Sequence, residues 1–223
     1  MYSIYNLDLK FTDIDITFNE YVNQYSSNPK QSYCDLVALR ELLKALNKQK
    51  DFYNLSSYVI AGGCLRDIVL GNLPKDWDIF VPLAFDDVDQ EVDATLYAEA
   101  FDDVVEPDFV EAEHYREIFG KNMVIYNASF TFEEGLPFRT FIQPQLISKS
   151  FRNYEDLLDG FDHSLTKIAC TPTGQVYIHP DFTKSLDTGV ITCYNDKEKT
   201  IARANKVLMQ NPNKLTKAVV NSE

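Results

Sequence analysis

Two short stretches hold the chain's most chemically suggestive residues: Gly62-Gly63-Cys64-Leu65-Arg66-Asp67, and Pro74-Lys75-Asp76-Trp77-Asp78-Ile79-Phe80. Paired glycines let a backbone approach phosphate oxygens closely, and a helix starting just after them offers free N–H groups and a positive dipole end. Asp76 and Asp78 are two residues apart, so on an extended segment both carboxylates point the same way and Trp77 points opposite, into a core. Two carboxylates on one face can hold divalent ions that clamp the attacking and leaving oxygens of an in-line phosphoryl displacement.

For that chemistry the stretches must be placed by a strand, a turn, a short helix and a second strand. Residues 58–61 read as a short buried strand. Residues 64–70 read as a helix stopped by Gly71, and residues 76–82, after Pro74, as the second strand. Leu36, Leu39, Leu42, Leu43 and Leu46 recur at spacings of three and four, which predicts a helix over 33–53. Residues 88–101 also read as helical. Residues 123–132 and 137–147 read as two strands of a hairpin joined through Glu133-Glu134-Gly135-Leu136. A short helix is expected over 153–159, a strand over 176–178 and a helix over 197–210. The alternation Ile14-Asp15-Ile16-Thr17-Phe18 predicts an edge strand within a loop-rich start, and the chain is expected to fray from Asn211 onward. Strands interleaved with helices predict a mixed α/β (α+β) domain, a mixed sheet with helices packed on one face. The division expected is an N-terminal extension over 1–30, a main domain over 31–210 and a tail over 211–223.

Residues 59–81 resemble the head-domain signature of DNA polymerase β-type nucleotidyltransferases. They are most similar to class II CCA-adding enzymes and bacterial poly(A) polymerases, in which Gly-Gly-x-x-Arg-Asp precedes a Lys-Asp-x-Asp strand. The resemblance implies a nucleotidyltransferase fold, with Asp76 and Asp78 as catalytic Mg2+ (or Mn2+) ligands. It also implies Gly62, Gly63, Arg66, Asp67 and Lys75 as residues around an NTP triphosphate. A second resemblance, at Gly160-Phe161-Asp162-His163-Ser164-Leu165-Thr166-Lys167-Ile168-Ala169, is to the Arg-Arg-Asp-Phe-Thr-x-Asn-Ala motif of those enzymes. It implies Asp162 as ribose contact or metal support, although Gly160 and Phe161 stand where the family has arginines. A third, fainter one places Arg203 and Lys206 on the helical face that meets the incoming nucleotide and puts Thr200 where the family has a base-reading arginine. The family's third carboxylate, on a neighbouring strand, has no counterpart over 138–147, which offers Gln143 and Gln145. The pattern around Phe161-Asp162 looks more like small phage- or virus-encoded nucleotidyltransferases.

Plainer roles compete. Gly62-Gly63 alone would be a tight turn, Arg66 a structural partner of Asp67 or Asp76, Lys75 a surface lysine, and Asp162 a helix cap. His114, His163 and His179 are too scattered for a metal site or a triad. Cys64 sits where a helix start would lower its pKa, yet buried packing is the simpler reading. The runs Asp86-Asp87-Val88-Asp89 and Asp102-Asp103 read as solvated faces.

With 21 basic and 34 acidic residues the formal charge is −13, a poor platform for tracking nucleic-acid phosphates. No apolar run reaches the ~18 residues that span a membrane, and Met1-Tyr2-Ser3-Ile4-Tyr5-Asn6 has no basic signal region. Four scattered cysteines read as reduced thiols. The expectation is a cytoplasmic enzyme, in the host cytoplasm if the source is a phage or virus. It would move a nucleoside monophosphate from an NTP to an acceptor hydroxyl, first of all an RNA (tRNA-like) 3′ end. The alternatives are nucleotidylation of a protein or small molecule, and a non-catalytic nucleotide-binding module. The length leaves no room for the helical body that binds tRNA in class II enzymes, so a protein partner could supply acceptor binding.

Overall fold

The computed structural model of the chain describes residues 3–6, 16–53, 58–82, 103–104, 123–136, 139–149 and 151–221. Its centre is a sheet built around β2 (Val59–Ala61), β3 (Trp77–Pro82), β5 (Met123–Leu136) and β7 (Pro144–Lys149). With β1 (Ser3–Asn6), β4 (Asp103–Val104), β8 (Ile168–Cys170) and β9 (Gln175–Ile178), the order is β1-β9-β8-β2-β3-β7-β5-β4. A further strand, β6 (Arg139–Ile142), pairs with β5. Among the described residues only the β3–β7 pairing of this sheet is parallel, so the sheet is mixed. β6 and β7 keep one register on β5 across Gln143: Ile142 faces Phe130 and Gln145 faces Asn127. The expected hairpin is therefore present, extended on the β5 side to Leu136.

Three helices cover one face of the sheet: α1 (Ile16–Tyr25), α2 (Pro29–Tyr53) and α3 (Gly63–Leu70). The five α2 leucines expected from the spacing are fully buried, against Trp77, Ile79, Leu146 and Ile168 of the sheet. Each such side chain contributes about 1.5–3 kcal/mol by leaving water. Trp77 faces this core, opposite to Asp78, as strand alternation requires. The other face is not bare. There Val59, Ala61, Phe80, Ile147 and Ala169 pack with Phe161 and with Leu157 and Leu158 of α4 (Tyr154–Asp159).

The start of the chain differs from its sequence reading. Residues 16–25 are helical, and the described N-terminal edge strand is Ser3–Asn6. Five residues of alternation fit either period; the spacing Phe18, Tyr21, Val22, Tyr25 continues as a helix because those rings bury against the main core. The C-terminal end differs too. After α5 (Pro180–Thr188), β10 (Val190–Cys193) and α6 (Glu198–Gln210), residues 217–220 do not fray but form β11, parallel to β10. Leu215 is buried at the turn that brings it back. The predicted helix over 88–101, His114 and the acidic runs at 86–89 and 102 lie outside the described residues.

Candidate active site

Gly62 sits between β2 and α3 at φ 87°, ψ −132°, a conformation open in practice to glycine alone. Its N–H donates to Ile168 O, and its carbonyl accepts from Arg66 N–H to start α3. No side chain caps the first turn of that helix, so its leading N–H groups are left to another acceptor. α3 ends, as expected, at Gly71 in the left-handed region, where a Cβ would collide with the Asn28 backbone nitrogen 2.5 Å away. That stop turns the chain back through Pro74 into β3. Asp78 and Phe80 then share the sheet face opposite to Trp77, and Asp78 Oδ2 lies 3.7 Å from the point where a Gly62 Cβ would stand.

These residues surround a cleft of about 220 Å³. It is lined by all nine residues singled out from the sequence, Gly62, Gly63, Arg66, Asp67, Lys75, Asp76, Asp78, Asp162 and Arg203. Residues more than a hundred positions apart thus meet. Lys206, read from the sequence as sharing a helical face with Arg203, lines the cleft too; lining residues without an assigned role in the sequence are Leu73, Phe80, Phe161, His163, Thr166, Val207 and Gln210. Phe161 could be read as a replacement for a family arginine. What it does becomes visible only in three dimensions: its ring packs edge-on against Phe80 at 5.7 Å and lies 3.6 Å from the Gly62 Cβ position.

The cleft's charges divide into two sets. Arg66 binds its neighbour Asp67 through two hydrogen bonds, Nε to Oδ1 at 2.9 Å and Nη2 to Oδ2 at 3.0 Å. Arg203 Nη1 donates to Asp162 Oδ2 at 3.1 Å, and Thr200 Oγ1 donates to the same oxygen at 3.3 Å. Thr200, at the base-reading position of the resemblance, is therefore spent inside the protein. By contrast Lys75, Asp76 and Lys206 make no hydrogen bond or ion pair among the described residues. Asp162 Oδ1 and His163 Nδ1 are buried and have no hydrogen-bond partner there. Burial, with the Arg66 and Arg203 guanidiniums acting in the same sense, holds the His163 imidazole neutral with its pKa lowered to about 4, despite the opposing Asp162 carboxylate. The Cys64 thiol, fully buried, is pushed well above its usual range by burial first and by the Asp78 carboxylate second. The helix start does not activate it, so Cys64 is packing.

The donor set suits a hard divalent cation. Asp76 and Asp78 offer carboxylate oxygens only, and Mg2+ is commonly held by one or two carboxylates with substrate phosphates completing its shell. No group of three or more His, Cys, Asp or Glu residues able to hold a metal occurs among the described residues. The four cysteines are buried free thiols. No helix among the described residues is long and apolar enough to cross a membrane.

The mixed sheet and the glycine turn into α3 are those of a nucleotidyltransferase-like fold. Solved structures share it. A Thermotoga maritima CCA-adding enzyme complexed with tRNA superposes at TM-score 0.53 and 17% identity, over 100% of this chain and 44% of that one. A CCA-adding enzyme complexed with CTP gives 0.54 and 16%, over 100% and 43%. One with ATP gives 0.51 and 17%, over 94% and 42%. The chain thus spans less than half the length of these neighbours. It belongs to the Gabija anti-defense 2 family, whose sequence profile matches residues 37–189. No curated protein matches the sequence.

Proposed function

We propose that the cleft transfers a nucleoside monophosphate from an NTP to an acceptor hydroxyl. The observation that carries this reading is the convergence of all nine sequence-predicted residues on one cleft. Asp76 and Asp78 would hold Mg2+ or Mn2+, which when bound neutralises phosphate charge and stabilises both the attacking and the leaving oxygen. Gly62, Gly63 and the uncapped start of α3 receive the triphosphate, with Lys75 and Lys206 as ammonium partners and Arg66 and Arg203 as guanidiniums already oriented by carboxylates. An acceptor oxygen bonds to the α-phosphorus, the bond from that phosphorus to the bridging oxygen breaks, pyrophosphate leaves and the acceptor proton passes to solvent. Asp162, whose Oδ1 accepts no hydrogen bond among the described residues, would receive a ribose hydroxyl. Positioning and charge stabilisation supply the rate; no covalent enzyme intermediate is needed.

For the acceptor, the family's name points to a component of the defence system it opposes, modified on a hydroxyl, and an anti-defence role accords with a phage or viral source acting in a host cytoplasm. A tRNA-like RNA 3′ end is the second reading, supported by the fold neighbour complexed with tRNA. The net charge does not decide against it. Residues 83–122 carry 13 of the 34 acids and only 2 of the 21 bases, leaving the rest of the chain at 21 acids and 19 bases. The excess of negative charge is therefore concentrated in one segment of the sequence.

The test is transfer from each α-labelled NTP, with Mg2+ or Mn2+, into cell extract carrying the defence system and separated into protein and RNA. Label in the protein fraction, lost in Asp76→Ala/Asp78→Ala, supports the first acceptor; label in RNA supports the second. No label with folded protein overturns transfer and leaves the binding-module reading.

A further inference from the structure

His163 lines the cleft, is 1% exposed and directly follows Asp162 in the chain. Its backbone is fixed on both sides. It is extended (φ −148°, ψ 158°) in an antiparallel bridge to Cys193, and its carbonyl accepts from the N–H and the hydroxyl of Thr166, in the 3-10 helix Ser164–Thr166. The imidazole is neutral and lies within the field of both the Arg66 and the Arg203 guanidiniums. Its buried Nδ1 and the buried Oδ1 of Asp162 have no hydrogen-bond partner among the described residues. Two such atoms beside one cleft cost stability that a bound polar group would recover.

Chemistry narrows that group. A phosphate oxygen gains no charge pairing from a neutral imidazole and is repelled by the Asp162 carboxylate. A cation meets a carboxylate whose charge the Arg203 guanidinium already offsets at 3.1 Å. A hydroxyl suits both atoms: its proton goes to Asp162 Oδ1, and its oxygen accepts from His163 Nδ1–H, which also sets the imidazole tautomer. In an NTP only the ribose hydroxyls donate and accept through one neutral atom. We infer that His163 is a further substrate-contacting residue, whose Nδ1 joins Asp162 Oδ1 in holding one ribose hydroxyl of the NTP, so that the cleft takes ribonucleotides and rejects the analogue lacking that hydroxyl. This rests on the NTP-binding reading of the cleft given above. The Arg-Arg-Asp-Phe-Thr motif that this segment resembles has phenylalanine at the position of His163, so the imidazole belongs to this chain and not to the resemblance. A site built to bind a hydroxyl discriminates strongly against its absence, because its buried polar groups are then left unpaired.

The test is calorimetric titration of the full chain, in Mg2+, with the α,β-methylene analogues of ATP and CTP and with their 2′-deoxy and 3′-deoxy forms. The wild type is expected to bind a parent analogue about tenfold or more tightly than one of its two deoxy forms, and that form names the hydroxyl. His163→Phe, which keeps a ring and removes both nitrogens, should narrow the preference to about threefold or less. His163→Asn, whose amide places a polar atom near the Nδ1 position, should restore part of it. Equal binding of parent and deoxy forms by the wild type would overturn the inference, whether or not a variant folds; an ordered water between the two atoms gives that result. So would a folded His163→Phe that keeps the wild-type preference. Imidazole 15N spectra of the wild type need no variant. One Nδ1 resonance should move with the parent analogue and not with the rejected deoxy form, and the absence of any such resonance would overturn the inference. No binding of any analogue by folded wild type would instead overturn the NTP-binding reading, and the inference with it.

Discussion

Two charged clusters lie on either side of the short 3-10 helix Ser164–Thr166, and they differ in what they leave open. The second cluster gathers Asp159, Lys167, His179, Asp181 and Tyr194. His179 Nδ1 accepts the Asp181 N–H to cap α5, and Tyr194 donates to Asp181 Oδ2 at 2.6 Å. Lys167 sits 4.1 Å over the Tyr194 ring and 4.0 Å from Asp159, with burial lowering its pKa. Nearly every charge there has a partner within the protein. Among the described residues, Lys75, Asp76 and Lys206 of the cleft have none, and a buried oxygen of Asp162 accepts nothing. Charge density alone thus fails to tell a site from a structural network; unspent donors and acceptors around a concavity do.

The comparison breaks most visibly if the two clusters respond alike to mutation. Asp78→Ala is expected to lower transfer about a thousandfold, through the loss of metal-borne charge stabilisation. Its unfolding temperature should stay within a few degrees of the wild type. Tyr194→Phe should do the reverse, losing about 1 kcal/mol of stability with transfer unchanged. Chemical denaturation beside the labelled-NTP assay reads both.

His163 gives the next effect. Its folded pKa of about 4 lies below its unfolded value near 6.5, so the unfolded chain binds the proton first as pH falls. The stability it contributes is fully present above pH 6.5 and is lost progressively between pH 6.5 and 4. The full loss is about 3 kcal/mol, and His163→Gln should flatten that part of the denaturation profile. His179 adds a loss of the same sign, since burial and Lys167 lower its pKa as well.

Gly62→Ala should cost about 1–3 kcal/mol, because the strain lies in φ 87° rather than in space. It should also weaken transfer, since its methyl group would stand beside Asp78. Lys206→Ala is the smallest change expected. It should raise the KM for NTP several-fold with kcat nearly constant and leave stability within ±0.5 kcal/mol.

Much of this cleft was legible in the sequence because its parts are local. Gly62 to Asp78 carries its own strand, turn, helix and strand, and Trp77 reports by alternation which way the carboxylates face. The residues that escaped depend on distant partners. Phe161 matters through Phe80 and Gly62, and Thr200 through Asp162. Gln145 could be seen as a missing acid, but its place beside Asp78 follows only from the β3–β7 register. β11 was hidden for the same reason. Lys217-Ala218-Val219-Val220 is too short to announce itself, and its partner β10 lies about 27 positions earlier. Arg66 was read two ways from sequence, as phosphate ligand and as partner of Asp67. The structure has it bound to Asp67, an arrangement that orients the guanidinium along the cleft wall.

The central claim is that the open cluster, and not the closed one, binds a nucleotide with metal. Calorimetric titration of the α,β-methylene analogue in Mn2+ tests it most directly, comparing wild type, Asp76→Ala/Asp78→Ala and Tyr194→Phe. The account predicts binding by wild type and Tyr194→Phe, and at least a hundredfold weaker binding by the double variant. Equal binding by the double variant, or none by folded wild type, would contradict it.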